Sequence, residues 1–121
     1  MDKLGQTLED IFVTATEGGS GYWMGSVDVM KDAETESRAL PGESLGECMA
    51  RTLVDNPITA FINVFDAEDI DELLGTITMK SAKVALSSNI KLWNEVIEGD
   101  YDAETADLLV QYMTLGELVF G

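Results

Sequence analysis

Acidic residues are clustered in this sequence and are its main candidates for catalysis, metal binding or partner binding. Five of them fall within one short stretch: Asp66, Glu68, Asp69, Asp71 and Glu72. Carboxylate oxygens are the ligands that calcium and magnesium prefer in proteins. The spacing does not match a dedicated site, because an EF-hand loop begun at Asp100 would need glycine at its sixth position, where Thr105 stands. The sequence therefore predicts no metal site.

The other residue types that carry catalysis are missing or isolated. The chain has no histidine, the side chain most often used as general base and metal ligand. Its one cysteine, Cys48, falls on an apolar helix face and is expected to be buried and structural. Gly18, Gly19, Gly21 and Gly25 lack the spacing of phosphate-binding loops and indicate a helix stop and a tight turn. We therefore expect a protein that is not an enzyme and has no cofactor.

Alternating apolar residues predict the strands that position these acids. Over residues 21–30, Trp23, Val27 and Val29 share one side, as in a half-buried strand. Residues 58–65 are rich in β-branched and aromatic side chains. We expect these two segments to pair as antiparallel strands.

Helical spacing and capping residues predict about four helices. The first ends near Thr16, and a capping box over residues 44–47 opens a second. Thr78 caps a long helix that runs to about Glu98, and Asp102 caps the last. The long helix is expected to carry one apolar stripe: Met79, Ala82, Leu86, Ile90, Trp93 and Ile97.

The predicted fold class is α+β, with a small antiparallel β-sheet packed against about four helices in one acidic domain over residues 1–121. Tyr22, Trp23 and Trp93 lie on apolar faces and are expected to pack in the core. The apolar tail, residues 118–120, is expected to pack as well.

The net charge of this chain is unusually negative for its length. It has 23 acidic and 7 basic residues, a formal charge of −16, and 45% apolar residues, which favours a packed core over a disordered acidic tail. After Lys91 the sequence contains seven acids and no base. Such segregated charge should attract basic surfaces and repel nucleic acids and anionic membranes.

The sequence also indicates the cellular compartment of the protein. The start of the chain has no basic head followed by an apolar core, and one cysteine cannot form an internal disulfide. The apolar stretches are much shorter than the ~20 residues that a bilayer span needs. We expect a cytoplasmic protein without a membrane segment.

Two segments carry a resemblance. They are Glu17-Gly18-Gly19-Ser20-Gly21-Tyr22-Trp23 and the end of the chain, Asp102 to Asp107, Val110-Gln111 and Gly116-Glu117-Leu118-Val119-Phe120-Gly121. They resemble short bacteriophage and prophage proteins that share an EGG-x-GYW element and a GE-[LV]-V-[FY]-G terminus. The resemblance covers roughly a quarter of the chain and implies a phage origin. It implies no catalytic residue, because no activity is assigned to that family.

Two functional hypotheses follow. In the first, the protein is a phage-encoded inhibitor of a host defence protein, of anti-CRISPR or anti-restriction type, that acts in the host cytoplasm as a DNA mimic. Its partner would be a basic, nucleic-acid-binding protein, and it would not bind nucleic acid itself. In the second, it is a phage structural or accessory assembly module, a possible homodimer, whose acidity serves solubility.

The first hypothesis assigns partner binding to two acidic clusters. The predicted contact residues are Asp66, Glu68, Asp69, Asp71, Glu72, Glu98, Asp100, Asp102 and Glu104.

Overall fold

The computed structural model describes residues 2–121 and confirms the α+β class. In chain order the elements are α1 (Lys3–Thr14), a π-helical turn (Ala15–Gly19), β1 (Met24–Met30), α2 (Leu45–Asp55), β2 (Phe61–Asp66), β3 (Leu73–Ile77), α3 (Met79–Ser88), α4 (Ile90–Ile97) and α5 (Ala103–Leu115). Over these residues, the fold consists of five α-helices and a three-stranded antiparallel sheet of order β1-β2-β3.

The predicted antiparallel pairing of β1 with β2 is confirmed, with Val27 opposite Val64 and Val29 opposite Ile62. The predicted start of the second strand at Ile58 is wrong, since the strand begins at Phe61. The Ala60 amide donates to the Asn56 carbonyl over 2.9 Å, which closes a turn. Ile58 lies in that turn and is 95% exposed.

Strand β3 was not predicted. It pairs antiparallel with β2, with Ile62 opposite Ile77. Gly75 interrupts its apolar pattern and faces α5 so closely that an added Cβ would lie 2.1 Å from the Thr114 carbonyl oxygen. Glycine inside a strand commonly marks such a close backbone approach.

The capping predictions hold. At α2 the Ser44 side chain accepts from the Glu47 amide over 3.2 Å, and the Glu47 side chain accepts from the Ser44 amide over 2.9 Å. At α3 the Thr78 side chain accepts from the Ser81 amide. These reciprocal bonds satisfy amides that have no partner inside the helix.

The long helix predicted to reach Glu98 is two helices. Asn89 leaves the helical region, with φ of −132° and ψ of 54°, and its side-chain amide donates to the Ala85 carbonyl over 2.8 Å. The helix α4 then turns a different face inward. Val96 is buried while Ile90 and Ile97 are exposed, so the predicted stripe is wrong at those two positions. Trp93 is partly buried and packs against the core, as expected.

The core lies between α1, α2, α5 and the inner face of the sheet. Its fully buried members include Phe12, Leu53, Ile62 and Leu109, and Cys48 is buried as expected. Among residues 2–121, no helix has both the length and the hydropathy needed to cross a membrane.

Candidate functional site

A buried carboxylate joins the two segments that carry the family resemblance. Asp107, on α5, is 5% exposed. It accepts hydrogen bonds from Ser20 Oγ at 2.8 Å, Trp23 Nε1 at 2.7 Å and Tyr22 Oη at 2.5 Å. One turn further along α5, Gln111 Nε2 donates to it over 3.2 Å. All four donors are neutral, so hydrogen bonds rather than a counter-charge compensate the loss of hydration.

Gln111 fastens the tail to the same network. It is fully buried, and its Oε1 accepts from the backbone amides of Val119 and Phe120 at 3.0 and 2.9 Å. The Phe120 ring stacks on Trp23 with 5.2 Å between centroids and 9° between planes. The EGG-x-GYW element and the end of the chain therefore form one hydrogen-bonded unit.

Three packing predictions are decided at this unit. Trp23 is buried as expected, but Tyr22 is 55% exposed and contributes its hydroxyl rather than its ring. In the tail only Phe120 packs against the core, while Leu118 and Val119 are 46% and 56% exposed. Val119 is thus held through its backbone amide, which donates to Gln111, rather than through its side chain.

The hydrogen bond that Tyr22 donates to Asp107 also changes the pKa of Tyr22. The hydrogen bond to the carboxylate, together with burial of the hydroxyl and the charge of Asp107, raises the pKa of Tyr22 to about 12. Ionising the phenol would remove the donor and place two negative charges side by side. Tyr22 therefore remains neutral at physiological pH.

An open cleft of about 600 Å³, here called the Asp107 cleft, lies between the Gly18–Gly19 turn and the tail. Gly18 has a φ of 151°, a backbone conformation that suits glycine and turns the chain out of the helix. The cleft is lined by Tyr22, Glu104, Asp107, Leu108, Leu118 and Phe120, among others. Its walls are largely apolar, and its charged groups are both acidic.

A second feature is an acidic surface centred on Tyr101. Two clefts of about 340 and 470 Å³ share this tyrosine, and no lysine or arginine of residues 2–121 lines either of them. Four acids line each cleft: Glu9, Asp10, Glu17 and Glu47 in one, and Glu95, Asp100, Asp102 and Glu104 in the other. We call these eight residues and Tyr101 the Tyr101 acidic surface.

Helix starts hold two of these carboxylates in place. Glu47 lies in the first turn of α2, and Asp102 caps α5 by accepting from the Thr105 amide over 3.0 Å. The backbone amide of Ser44 lowers the pKa of Glu47, and the amide of Thr105 lowers the pKa of Asp102. Acids are favoured there because a helix N-terminus carries partial positive charge.

The structure separates the predicted contact residues into two groups. Asp100, Asp102 and Glu104 belong to the Tyr101 acidic surface, whereas Glu98 is exposed at the end of α4 and lines neither cleft. The other group lies in and beside the β2–β3 turn. We call it the hairpin acids: Asp66, Glu68, Asp69, Asp71 and Glu72.

Two of the hairpin acids stabilise the β2–β3 turn by accepting hydrogen bonds from its backbone amides. Asp66 accepts from the amides of Glu68 and Asp69 at 2.7 and 3.2 Å, and Asp69 accepts from the amide of Asp71 at 3.1 Å. The carboxylates of Glu68 and Glu72 are exposed. Two of the five acids thus have a local structural role.

Sequence reasoning missed five members of the Tyr101 acidic surface: Glu9, Asp10, Glu17, Glu47 and Glu95. The first two lie on α1, and the others lie on the π-helical turn, α2 and α4. No local sequence pattern predicts that α1, α2 and α4 bring these acids together, because their positions are far apart in the sequence.

Few of the carboxylates have a basic partner. Residues 2–121 contain one ion pair, between Arg51 and Glu43, with 2.8 Å between Nε and Oε2. The Arg51 guanidinium lowers the pKa of Glu43 by hydrogen bonding. Across the same residues, no three acidic or sulfur side chains converge as a metal site requires.

Searches against protein-family models, curated proteins and solved structures find no significant match to this chain.

Proposed function

We propose that this protein is a phage-encoded acidic inhibitor that occupies the basic nucleic-acid groove of a host defence protein, of anti-CRISPR or anti-restriction type. The observation that carries the proposal is the Tyr101 acidic surface. Its two clefts share Tyr101, and each is lined by four acids and, among the described residues, by no lysine or arginine.

A DNA strand carries its negative charges densely, about one per 3.4 Å of helix axis. The Tyr101 acidic surface likewise clusters negative charge, with eight carboxylates lining two clefts that share Tyr101. A groove that binds phosphates with lysine and arginine would therefore meet clustered negative charge on this surface. Binding would exclude the nucleic acid by direct competition.

Charge also favours rapid association with such a partner. A net charge of −16 creates a long-range field that steers a basic protein towards the acidic surface. The same field disfavours direct binding to nucleic acid. In this proposal the protein acts in the cytoplasm of the host cell, without a cofactor.

A pull-down from host lysate at low and high salt tests the proposal. We expect the bait to retain a basic nucleic-acid-binding protein, which is released by salt because screening shortens the range of the attraction. Duplex DNA should displace the same protein, and the bait should inhibit its DNA binding in a purified assay. Retention that neither salt nor DNA reverses would contradict the DNA-mimic proposal.

Matched charge reversals identify the contact surface. The triple variant Glu17→Lys, Asp100→Lys and Glu104→Lys changes exposed members of the Tyr101 acidic surface without removing a helix cap. The control reverses Glu68, Asp71 and Glu72, which are also exposed. We expect the first variant to weaken inhibition about tenfold or more and the control to weaken it much less. Equal losses would show that total charge, rather than this surface, decides binding.

The second candidate function is a phage assembly module that forms a homodimer. The exposed apolar side chains of Leu118 and Val119 favour it, because they could pack against a second copy. Light scattering decides this case. A mass that stays monomeric as concentration rises would count against the assembly module.

A further inference from the structure

The Asp107 cleft contains a buried negative charge that has no counter-ion among the described residues. Asp107 is bonded by four neutral donors, and the other charged residue in the described cleft lining is also an acid, Glu104. Neutral donors satisfy the lone pairs of a carboxylate but leave its net charge in place. Among the described residues, the charged groups that line the cleft are thus Asp107 and Glu104, both negative, and this favours a cation there.

The walls of this cleft select the shape of that cation. Leu108, Leu118 and Phe120 provide apolar surface, and the exposed Tyr22 ring stands beside them. Glu104, at the start of α5, is exposed and offers a carboxylate to solvent. A long side chain with an apolar stem and a charged end matches this arrangement.

We propose that the Asp107 cleft receives an arginine side chain of the basic partner. This inference rests on the proposed function, because the cleft shares Glu104 and Leu108 with the cleft beside Tyr101 and so extends the Tyr101 acidic surface. The acidic surface attracts the partner, and the cleft fixes its position by holding one residue.

Arginine fits better than lysine for two physical reasons. Its guanidinium is flat and weakly hydrated, so it can stack against the Tyr22 ring at low cost. It also donates several hydrogen bonds in one plane, which suits the carboxylate of Glu104. A lysine ammonium is a compact charge that holds its water more strongly.

The test is a titration of the isotope-labelled full chain with the tripeptide acetyl-Gly-Arg-Gly-amide, followed by amide and indole NMR shifts. We expect saturable shifts at Gly18, Gly19, Leu108 and the Trp23 indole. A peptide with citrulline, which is neutral and nearly the same shape as arginine, should give none. The lysine peptide should bind about fivefold or more weakly.

Matched variants locate the binding. Glu104→Gln and Leu118→Ser change exposed residues of the cleft, and Glu98→Gln and Val119→Ser change exposed residues outside it. We expect about tenfold weaker arginine binding in Glu104→Gln, a smaller loss in Leu118→Ser, and unchanged affinity in the two controls.

Three results would overturn the inference. They are equal binding of the lysine peptide, loss of affinity in Glu98→Gln equal to that in Glu104→Gln, and shifts spread over the Tyr101 acidic surface without the Trp23 indole. The peptide titration needs no host protein. A failed titration with successful inhibition of a basic partner would reject the cleft alone, whereas failed inhibition would reject the proposed function.

Discussion

At the scale of single residues, the polar network around Asp107 explains how a protein of this charge tolerates a buried acid. Moving a carboxylate out of water is costly unless its oxygens are hydrogen-bonded. Ser20, Tyr22, Trp23 and Gln111 supply four donors. Partial loss of such a network is expensive, because a buried acceptor left without a partner retains its full desolvation cost.

Tyr22→Phe tests this network. The variant loses one donor to Asp107 while keeping the ring, and we expect the free energy of unfolding to fall by about 1 kcal/mol. Because the folded pKa of Tyr22 is raised to about 12 from 10.0, this stabilisation is complete below pH 10 and is lost as pH rises towards 12. Urea denaturation at neutral pH and at high pH measures both effects.

The control for this prediction is Tyr112→Phe, whose residue lies outside the Asp107 network. Ultraviolet absorbance should show a late tyrosinate step in the wild type and in the control, and none in Tyr22→Phe. A late step that survives Tyr22→Phe would assign it to another tyrosine and contradict the account of the network.

At the scale of elements, two close backbone approaches set the packing. Gly46 brings α2 against α1, where an added Cβ would lie 2.5 Å from the Val13 amide nitrogen. Gly75 brings β3 against the Thr114 carbonyl of α5. At both positions even a methyl group would collide with backbone, which cannot move without displacing its whole element.

Gly75→Ala should therefore destabilise the protein by about 2 kcal/mol or more, because the sheet and α5 must separate to admit the methyl group. The matched control is Gly21→Ala, where the nearest atom to an added Cβ is 3.8 Å away. That change should be close to neutral. Thermal unfolding of both variants gives the comparison, and equal melting temperatures would contradict the close approach.

At the scale of the whole molecule, repulsion between like charges opposes folding. The net charge is −16, and the described residues form one ion pair, Arg51 with Glu43. Compaction brings the remaining carboxylates closer together, which costs free energy that salt can reduce. Helix starts offset a part of this cost for the acids that cap them.

Sodium chloride should accordingly stabilise the protein. Raising its concentration from about 0.01 M to about 0.15 M shortens the Debye length from about 30 Å to about 8 Å. We expect a gain of about 1 kcal/mol, or roughly 3–6 °C in melting temperature for a chain of this size. The Glu17, Asp100 and Glu104 reversal variant should gain less. A melting temperature that salt lowers would show that attractive pairs dominate instead.

Local signals in the sequence determined most of the elements and the character of the surface. The caps at Ser44, Thr78 and Asp102 were predictable because each bond joins residues three positions apart. The burial of Cys48 followed from helical periodicity in the same way. Total charge needs no structure, since it is a count.

Tertiary structure alone decided the rest. The break at Asn89 and the formation of strand β3 depend on tertiary packing against the core. Such packing can override the secondary structure that the local sequence pattern favours. Bonds from Ser20 and Trp23 to Asp107 span 87 and 84 positions. Similarly, the Tyr101 acidic surface draws its acids from α1, α2, α4 and α5. No short sequence window contains either group, because packing of the helices brings its members together.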